Sequence, residues 1–238
     1  MKNRLLAWLV HAYTSLGFVC VAGMAVLVLR ADDASFREAF ALMVVATVID
    51  ATDGWLARAA RVHEVLPSFD GAMLDNLADF HSYTSMPLFL LWRAGSLPGH
   101  LAWLLLLPLL ASAYGYAQVH AKTPDGFFLG FPSYWNIVAF YVYVLRMPGW
   151  LAAAVIILFS VLTFVPTRYL YASRGGPFAL TINTGAVVYT LLLGYVLWGG
   201  GHARILALLS LLYPVMYFVL SGVATTRQAR TRVGAADV

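Results

Sequence analysis

Long apolar runs separated by short polar ones dominate the pattern along the chain. An α-helix needs about 20 apolar residues to cross a membrane. By that criterion we predict about eight transmembrane helices, near residues 5–29, 37–57, 72–95, 100–120, 133–146, 149–170, 178–198 and 204–224. The fifth run is short for a span. The predicted fold class is all-α, a polytopic integral membrane helical bundle.

Composition agrees with that prediction. Of the 238 residues, 61% are hydrophobic and 11% are charged, whereas a soluble domain carries about 25% charged residues. Mean hydropathy is +0.78. Since no polar stretch is long enough for a second unit, we expect a single integral membrane domain over 1–238. The first apolar run is longer than the core of a signal peptide, so we expect it to be a retained span.

The positions of Lys and Arg predict the orientation, because these residues collect on the cytoplasmic side. With both termini cytoplasmic, ten of the 15 Lys and Arg residues fall inside and five fall outside. The ten are Lys2, Arg4, Arg58, Arg61, Lys122, Arg168, Arg174, Arg227, Arg230 and Arg232. The net charge of +4 therefore indicates topology and contact with anionic membrane lipid rather than nucleic acid.

Acidic residues are rare, and four of them belong to two consecutive apolar segments. The chain has 11 acidic residues, and Asp50, Asp53, Asp75 and Asp79 lie in or beside membrane-length runs. An ionised carboxylate there is costly unless a cation or polar group meets it. At helical periodicity Asp50 and Asp53 share one face of the second segment, and Asp75 and Asp79 share one face of the third.

A short connection makes these segments antiparallel neighbours, which form a hairpin over about residues 37–95. Asp50 and Asp79 then lie about 12 Å from the connected ends at 1.5 Å per residue. The four carboxylates could converge in one recess that opens to the cytoplasm. Oxygen donors of this kind favour Mg²⁺ or Mn²⁺. The alternative is structural: a single intramembrane Asp can pair with Arg, and small residues on such helices often serve packing.

The spacing of the whole stretch resembles the signature of the CDP-alcohol phosphotransferase family. It runs Asp50-x2-Asp53-Gly54-x2-Ala57-Arg58-x12-Gly71-x3-Asp75-x3-Asp79. Most members have a spacer of eight residues between the Arg and the second Gly, whereas residues 59–70 make twelve here. The longer spacer is similar to the bacterial branch that condenses CDP-diacylglycerol with free choline. Residues 130–141 and 164–169 also resemble that branch, although Ala51 stands where Gly is expected.

The resemblance implies a set of roles. Asp50, Asp53 and Asp75 would hold the divalent metal, Mn²⁺ or Mg²⁺, and Asp79 would act as general base on the incoming alcohol or as a further ligand. The CDP moiety would lie against a second group, which comprises Gly54, Ala57, Arg58 and Gly71. Arg58 could instead be a positive-inside anchor. The substrates would be CDP-diacylglycerol and choline, the products phosphatidylcholine and CMP, and the location the bacterial inner membrane.

Aromatic residues offer candidates for the choline site, because proteins hold quaternary ammonium groups against aromatic faces. Tyr134, Trp135 and Asn136 at the start of the fifth segment are the first candidates, followed by Tyr83, Tyr169 and Tyr171. Tyr and Trp also collect at membrane interfaces without any ligand.

Other functions stay open at this point. The acceptor could be serine, inositol or glycerol phosphate, and Arg168 and Arg174 leave room for a phosphorylated one. A cation transporter also uses intramembrane carboxylates, but it should show two related halves, and none is visible. A noncatalytic scaffold should have lost at least one Asp. A homodimer is compatible with the sequence, which does not test it.

Overall fold

A computed structural model describes residues 2–123, 125–171, 178–198 and 202–236, which are mostly helical. The helices are α1 Lys2–Arg30, α2 Asp33–Ala59, α3 Val62–Val65, α4 Gly71–Asp79, α5 Met86–Arg93, α6 Leu106–Ala117, α7 Trp135–Val144, α8 Gly149–Phe164, α9 Ala179–Trp198, α10 Ala203–Ser210 and α11 Leu212–Ala236. A π-helical turn, Phe80–Ser85, joins α4 to α5, and a 3₁₀-helix, Gly99–Leu105, precedes α6.

Five helical segments in the described ranges are long and apolar enough to cross a membrane. They are Asn3–Arg30, Asp33–Ala59, Gly99–Ala117, Ala179–Trp198 and Ala203–Thr226. Helices α7 and α8 are apolar but shorter. Helix therefore occurs in each predicted segment, and the polytopic class is supported, but the count of eight spans is not confirmed. The predicted orientation of the termini stays a prediction, and Arg174 lies outside the described residues.

The chain is mostly helical, but it also contains a short β-ribbon that was not predicted. Strand β1, Phe127–Leu129, pairs antiparallel with strand β2, Arg168–Leu170, so that Phe128 faces Tyr169 in the register. The predicted sixth segment, 149–170, consequently ends as a helix at Phe164. The reason is Pro166, because the residue before a proline avoids helical geometry, and Val165 is extended with φ −84° and ψ 123°.

The third predicted segment, 72–95, is not one regular helix. The π-helical turn interrupts it, and the Met86 N–H donates to the carbonyl of His81. Pro87 explains the turn, because proline has no N–H to donate and its ring clashes with the carbonyl one turn earlier. Widening the helix by one residue relieves that conflict. Single π-helical turns often occur at functional sites, and this one directly follows Asp79.

Helix α2 begins earlier than the predicted residue 37. Asp32 precedes the helix, and its carboxylate accepts hydrogen bonds from the Ser35 backbone N–H at 2.9 Å and the Ser35 hydroxyl at 2.7 Å. These bonds hold the pKa of Asp32 below its usual value. They also satisfy a backbone donor that the first helical turn leaves unpaired.

Helix α1 packs along both α2 and α4, so it backs the two helices that carry the acidic residues. Gly17 permits close approach to α4, since a β-carbon there would lie 3.2 Å from the Ala78 β-carbon. Tyr13 and Thr52 share a hydrogen bond of 2.8 Å between α1 and α2. Near the connection between α2 and α4, Ala7 and Val10 of α1 are buried in a cluster that includes Val62 and Leu66 of that connection. We call this end of the bundle the motif end.

Gly130 joins the β-ribbon to α8 and provides a test of that junction. Its φ is +80°, and a β-carbon would lie 2.3 Å from the Thr163 carbonyl oxygen. We expect Gly130→Ala to lower the free energy of unfolding by about 2 kcal/mol through backbone strain and overpacking. Thermal unfolding in detergent measures the change. Gly194→Ala is the control, because a β-carbon there meets nothing within 4 Å, and an equal melting temperature for both variants would contradict the prediction.

Candidate metal centre

Three carboxylates from the two acidic helices meet at one point. Asp50 of α2 and Asp75 and Asp79 of α4 each offer an oxygen atom, and these oxygens all lie within 4.8 Å of one another. The four-residue step between Asp75 and Asp79 keeps both on one face of α4. The structure thus brings together three of the four predicted ligands, in an all-oxygen group of the kind that hard divalent cations bind.

Asp53 lines the same recess, where its side chain interacts with that of Asp75, and it has a further partner on α1. Its side chain is 6% exposed, and its Oδ2 accepts a hydrogen bond of 2.8 Å from the Thr14 hydroxyl. Thr14 belongs to α1, so this bond attaches the first helix to the acidic hairpin. Sequence reasoning did not find Thr14, because no spacing rule links residues on helices that are distant in sequence.

Tyr83 has a different place from the one predicted. We expected it among the aromatic candidates for choline, but the structure buries it and directs its hydroxyl to Asp50, where it donates a hydrogen bond of 2.7 Å to Oδ2. Tyr83 lies in the π-helical turn. A hydroxyl that donates to a carboxylate orients it and leaves its second oxygen for another partner.

The charge balance of the recess fits a bound cation. Among the described residues, the ion pairs join Arg37 to Asp33, Arg61 to Glu64 and Arg168 to Asp125. None reaches Asp50, Asp53, Asp75 or Asp79. Carboxylates so close together repel one another unless positive charge is supplied, so their donor chemistry fits a divalent metal held by Asp50, Asp75 and Asp79.

Lys122 is the basic side chain whose charge acts on all four carboxylates. It lies in the connection that leads to β1, and its ammonium is 5.7 Å from the centre of the Tyr171 ring. Sequence reasoning counted Lys122 only as a marker of orientation. Its position gives it the further ability to attract a negatively charged substrate toward the recess.

The recess itself is small. Its lining includes Thr14, Gly17 and Ala46 besides the acidic residues, and its volume is about 10 Å³. That volume suits a single water or ion rather than a nucleotide. Larger groups must therefore lie at its mouth or require the helices to separate.

The predicted nucleotide group lies on the hairpin toward the motif end. Gly54 lies beside the Arg58 side chain, since a β-carbon at Gly54 would be 3.3 Å from Arg58 Nη1. Arg58 is exposed and Ala57 is half-buried. Gly71 is the first residue of α4, and a β-carbon there would be 2.6 Å from Cε1 of His11.

The three predicted choline residues have three different environments. Tyr134 is half-buried, with its ring 6.1 Å from that of Tyr217. Trp135 is fully buried and donates its indole N–H to the Ser112 hydroxyl at 2.9 Å. Asn136 accepts a hydrogen bond of 2.9 Å from the backbone N–H that follows it. Trp135 therefore has a packing role in the core.

We call Asp50, Asp53, Asp75 and Asp79 together the acidic group. Tyr116 is an aromatic residue near this group, and sequence reasoning missed it. Its ring packs edge-on against Phe80, the residue after Asp79, at 5.8 Å. The charges of Asp79, Asp50 and Asp75 all act on its phenol. The charge of Asp50 also acts on the phenol of Tyr134. Two tyrosines from α6 and the start of α7 therefore lie near the acidic group.

Arg168 was considered for binding a phosphorylated acceptor, but it already has an anionic partner. Its Nη1 lies 2.8 Å from Asp125 Oδ2. Hydrogen bonds from Thr123 and Arg168 hold the pKa of Asp125 below its usual value. This ion pair connects the β1 and β2 sides of the ribbon.

Membership of a family follows from comparison with known proteins. The CDP-alcohol phosphatidyltransferase family profile matches residues 8–223, which include both acidic helices and the π-helical turn. The chain belongs to this family and is a transferase.

Several curated relatives carry one name, phosphatidylcholine synthase. The protein of Pseudomonas aeruginosa is 33% identical over 98% of this chain and 96% of its own length. That of Legionella bozemanae is 37% identical over 76% of this chain and 87% of its own. The Legionella pneumophila protein is 41% identical over 71% of this chain, and the match spans 66% of that protein.

Tyr83 allows a test of how the acidic group is positioned. We expect Tyr83→Phe to reduce turnover about 10-fold at limiting Mn²⁺, because Asp50 loses the donor that orients it. Added Mn²⁺ should restore part of the loss. CMP release from CDP-diacylglycerol across a Mn²⁺ titration measures both effects. Tyr114→Phe is the control, since Tyr114 is exposed, and the same metal dependence in both variants would exclude this role.

Proposed function

We propose that this chain condenses CDP-diacylglycerol with choline to give phosphatidylcholine and CMP at a divalent-metal centre held by Asp50, Asp75 and Asp79. The observation that carries the proposal is the convergence of three carboxylates, none of which has an ion-pair partner among the described residues, in a chain whose relatives are named phosphatidylcholine synthase. Asp53, fixed by Thr14, completes the acidic lining. A bound Mn²⁺ or Mg²⁺ would neutralise charge on the diphosphate.

The reaction is a substitution at the phosphorus that is esterified to diacylglycerol. The choline hydroxyl oxygen forms a bond to that phosphorus, and the bond from phosphorus to the oxygen bridging to CMP breaks. CMP leaves with that oxygen. Asp79 accepts the hydroxyl proton. It is the last residue of α4, and the ring of Phe80, which follows it, packs against Tyr116. A general base must lie within hydrogen-bonding reach of the proton that it removes.

Choline is the proposed acceptor for two structural reasons besides the relatives' names. Arg168 is engaged by Asp125, which leaves less positive charge for a phosphorylated acceptor. Tyr116 and Tyr134 near the acidic group offer aromatic faces to a trimethylammonium group. The carboxylates themselves also attract a cationic acceptor.

The nucleotide would extend from the acidic group toward the motif end, along Gly54, Ala57, Arg58 and Gly71. Lys122 would attract its phosphates. We propose that the motif end faces the cytoplasm of a bacterial inner membrane, where CDP-diacylglycerol and choline can meet. Ten basic residues on the predicted inner side support this orientation.

The deciding experiment measures CMP release by the purified protein in detergent, with CDP-diacylglycerol and Mn²⁺. Choline, serine, inositol and glycerol 3-phosphate are supplied separately. We expect release with choline alone, and its loss on chelation of the metal. Asp79→Asn should lower the rate at least about 100-fold, in the range that general bases contribute, while CDP-diacylglycerol still binds.

Glu38→Gln is the matched control, because Glu38 is an exposed carboxylate on the same helix as Asp50. It should keep full activity. Release that depends on another acceptor would overturn the choline assignment, and turnover that persists with chelator would overturn the metal centre. Full activity of Asp79→Asn would remove Asp79 from the role of base.

Tyr134 tests the acceptor site. We expect Tyr134→Ala to raise the KM for choline about 10-fold, a loss that matches a desolvated cation–π contact, with the KM for CDP-diacylglycerol unchanged. Steady-state CMP release with each substrate varied gives both values. Tyr195→Ala serves for comparison, since Tyr195 is exposed on α9. An unchanged choline KM in the Tyr134 variant would contradict its role.

A further inference from the structure

His11 of α1 is a buried polar residue that the proposed mechanism does not use. Its side chain is 5% exposed, and Nε2 has no hydrogen-bond partner among the described residues. A buried polar atom without a partner costs free energy, so each case needs an explanation. One explanation is that a ligand supplies the partner.

The ring of His11 lies against Gly71. A β-carbon at Gly71 would be 2.6 Å from Cε1 and 3.1 Å from Nδ1 of the imidazole. Real carbon atoms do not approach so closely, so any larger residue at this position would displace the ring. Gly71 therefore forms a seat for His11, which gives this motif glycine a structural reason that the sequence could not show.

Two aromatic side chains cover the imidazole. The Phe69 ring is 4.4 Å from it and the Trp8 ring is 5.8 Å from it, between ring centres. Both covering residues retain exposed surface. These two side chains therefore separate the imidazole from the surface of the motif end on this side. Phe69 belongs to the long spacer between Arg58 and Gly71.

His11 lies between the acidic group and the motif end of the bundle. It precedes Thr14 on α1 by about one turn, and Thr14 donates to Asp53. Gly71 precedes Asp75 on α4 by about one turn as well. A molecule whose diphosphate lies at the carboxylates and whose remainder points to the motif end would pass the His11 seat.

We propose that His11 is a binding residue for the cytidine nucleotide of CDP-diacylglycerol, and that Gly71 acts by seating it. A neutral imidazole has one donor and one acceptor, which match the amino group and ring acceptors of cytosine. Phe69 and Trp8 offer faces on which a base stacks. Choline is a poor match for this position, because its trimethylammonium group has no hydrogen-bonding atom and its hydroxyl is the group that Asp79 receives in the proposed mechanism. This inference rests on the proposed use of a CDP-linked substrate.

The test compares His11→Ala, Gly71→Ala and the double variant. We expect each single variant to raise the KM for CDP-diacylglycerol about 10-fold, as loss of one hydrogen bond predicts, with the KM for choline unchanged. Because Gly71→Ala acts by displacing the ring, the double variant should be no worse than either single variant. Calorimetric titration with CMP should show the same order of affinity.

Two more substitutions separate hydrogen bonding from packing. His11→Phe keeps an aromatic ring in the seat but removes both nitrogens, so it should lose CMP affinity as His11→Ala does. His11→Gln keeps a donor and an acceptor and should recover part of it. His100→Ala is the matched control, because His100 is exposed on the 3₁₀-helix before α6, and it should bind CMP as the unaltered protein does.

The inference would be overturned if His11→Phe bound CMP normally, or if the losses from His11→Ala and Gly71→Ala added in the double variant. Either result would leave the proposed function intact, provided that the unaltered protein released CMP with choline. Conversely, if release needed another acceptor, the choline assignment would fail, and the effect of His11 would still be measured by CMP titration. Failure of the unaltered protein to bind CMP would overturn this inference alone, whereas absence of CMP release with every acceptor would overturn the proposed function.

Discussion

Electrostatic repulsion among carboxylates inside a helical bundle is the constraint on which this structure depends. Asp50, Asp75 and Asp79 offer oxygens within 4.8 Å of one another, and none of them forms an ion pair with a described residue. Much of the nearby architecture reduces that cost. Tyr83 donates a hydrogen bond to Asp50, and Thr14 donates one to Asp53. Each bond gives one carboxylate oxygen a partner. What is left matches the needs of a hard cation and a phosphate-bearing substrate.

The acidic helices could be predicted because their information is local. Helical periodicity places Asp50 with Asp53 and Asp75 with Asp79, and a short connection brings the pairs together. The contacts that refine the site were out of reach, since they join residues distant in sequence. Thr14 and Asp53 are an example. Trp135 shows the opposite error, because its type suggested a ligand contact and its environment is an interior bond to Ser112.

Two departures from regular helix, the π-helical turn before Pro87 and the end of α8 before Pro166, follow from proline. The sequence showed both prolines but not their exact effects. Pro87 was visible in the sequence, but an apolar run predicts a regular helix and does not show where a turn widens. Pro166 ended α8 before the predicted boundary, which released residues 168–170 to pair as a strand. Small residues were likewise ambiguous. Gly17 allows two helices to touch, whereas Gly71 makes room for an imidazole.

The turn between α1 and α2 bears on how a bulky lipid nucleotide enters so narrow a recess. Ala31 adopts a left-handed conformation, φ 58°, and the two helices reverse direction within a few residues of it. A connection so short permits little separation of the helices beside it. Any separation of α1 from α2 must therefore increase with distance from Ala31. The ends of this pair farthest from Ala31 carry His11 and Arg58, so any separation of the two helices is greatest at the motif end.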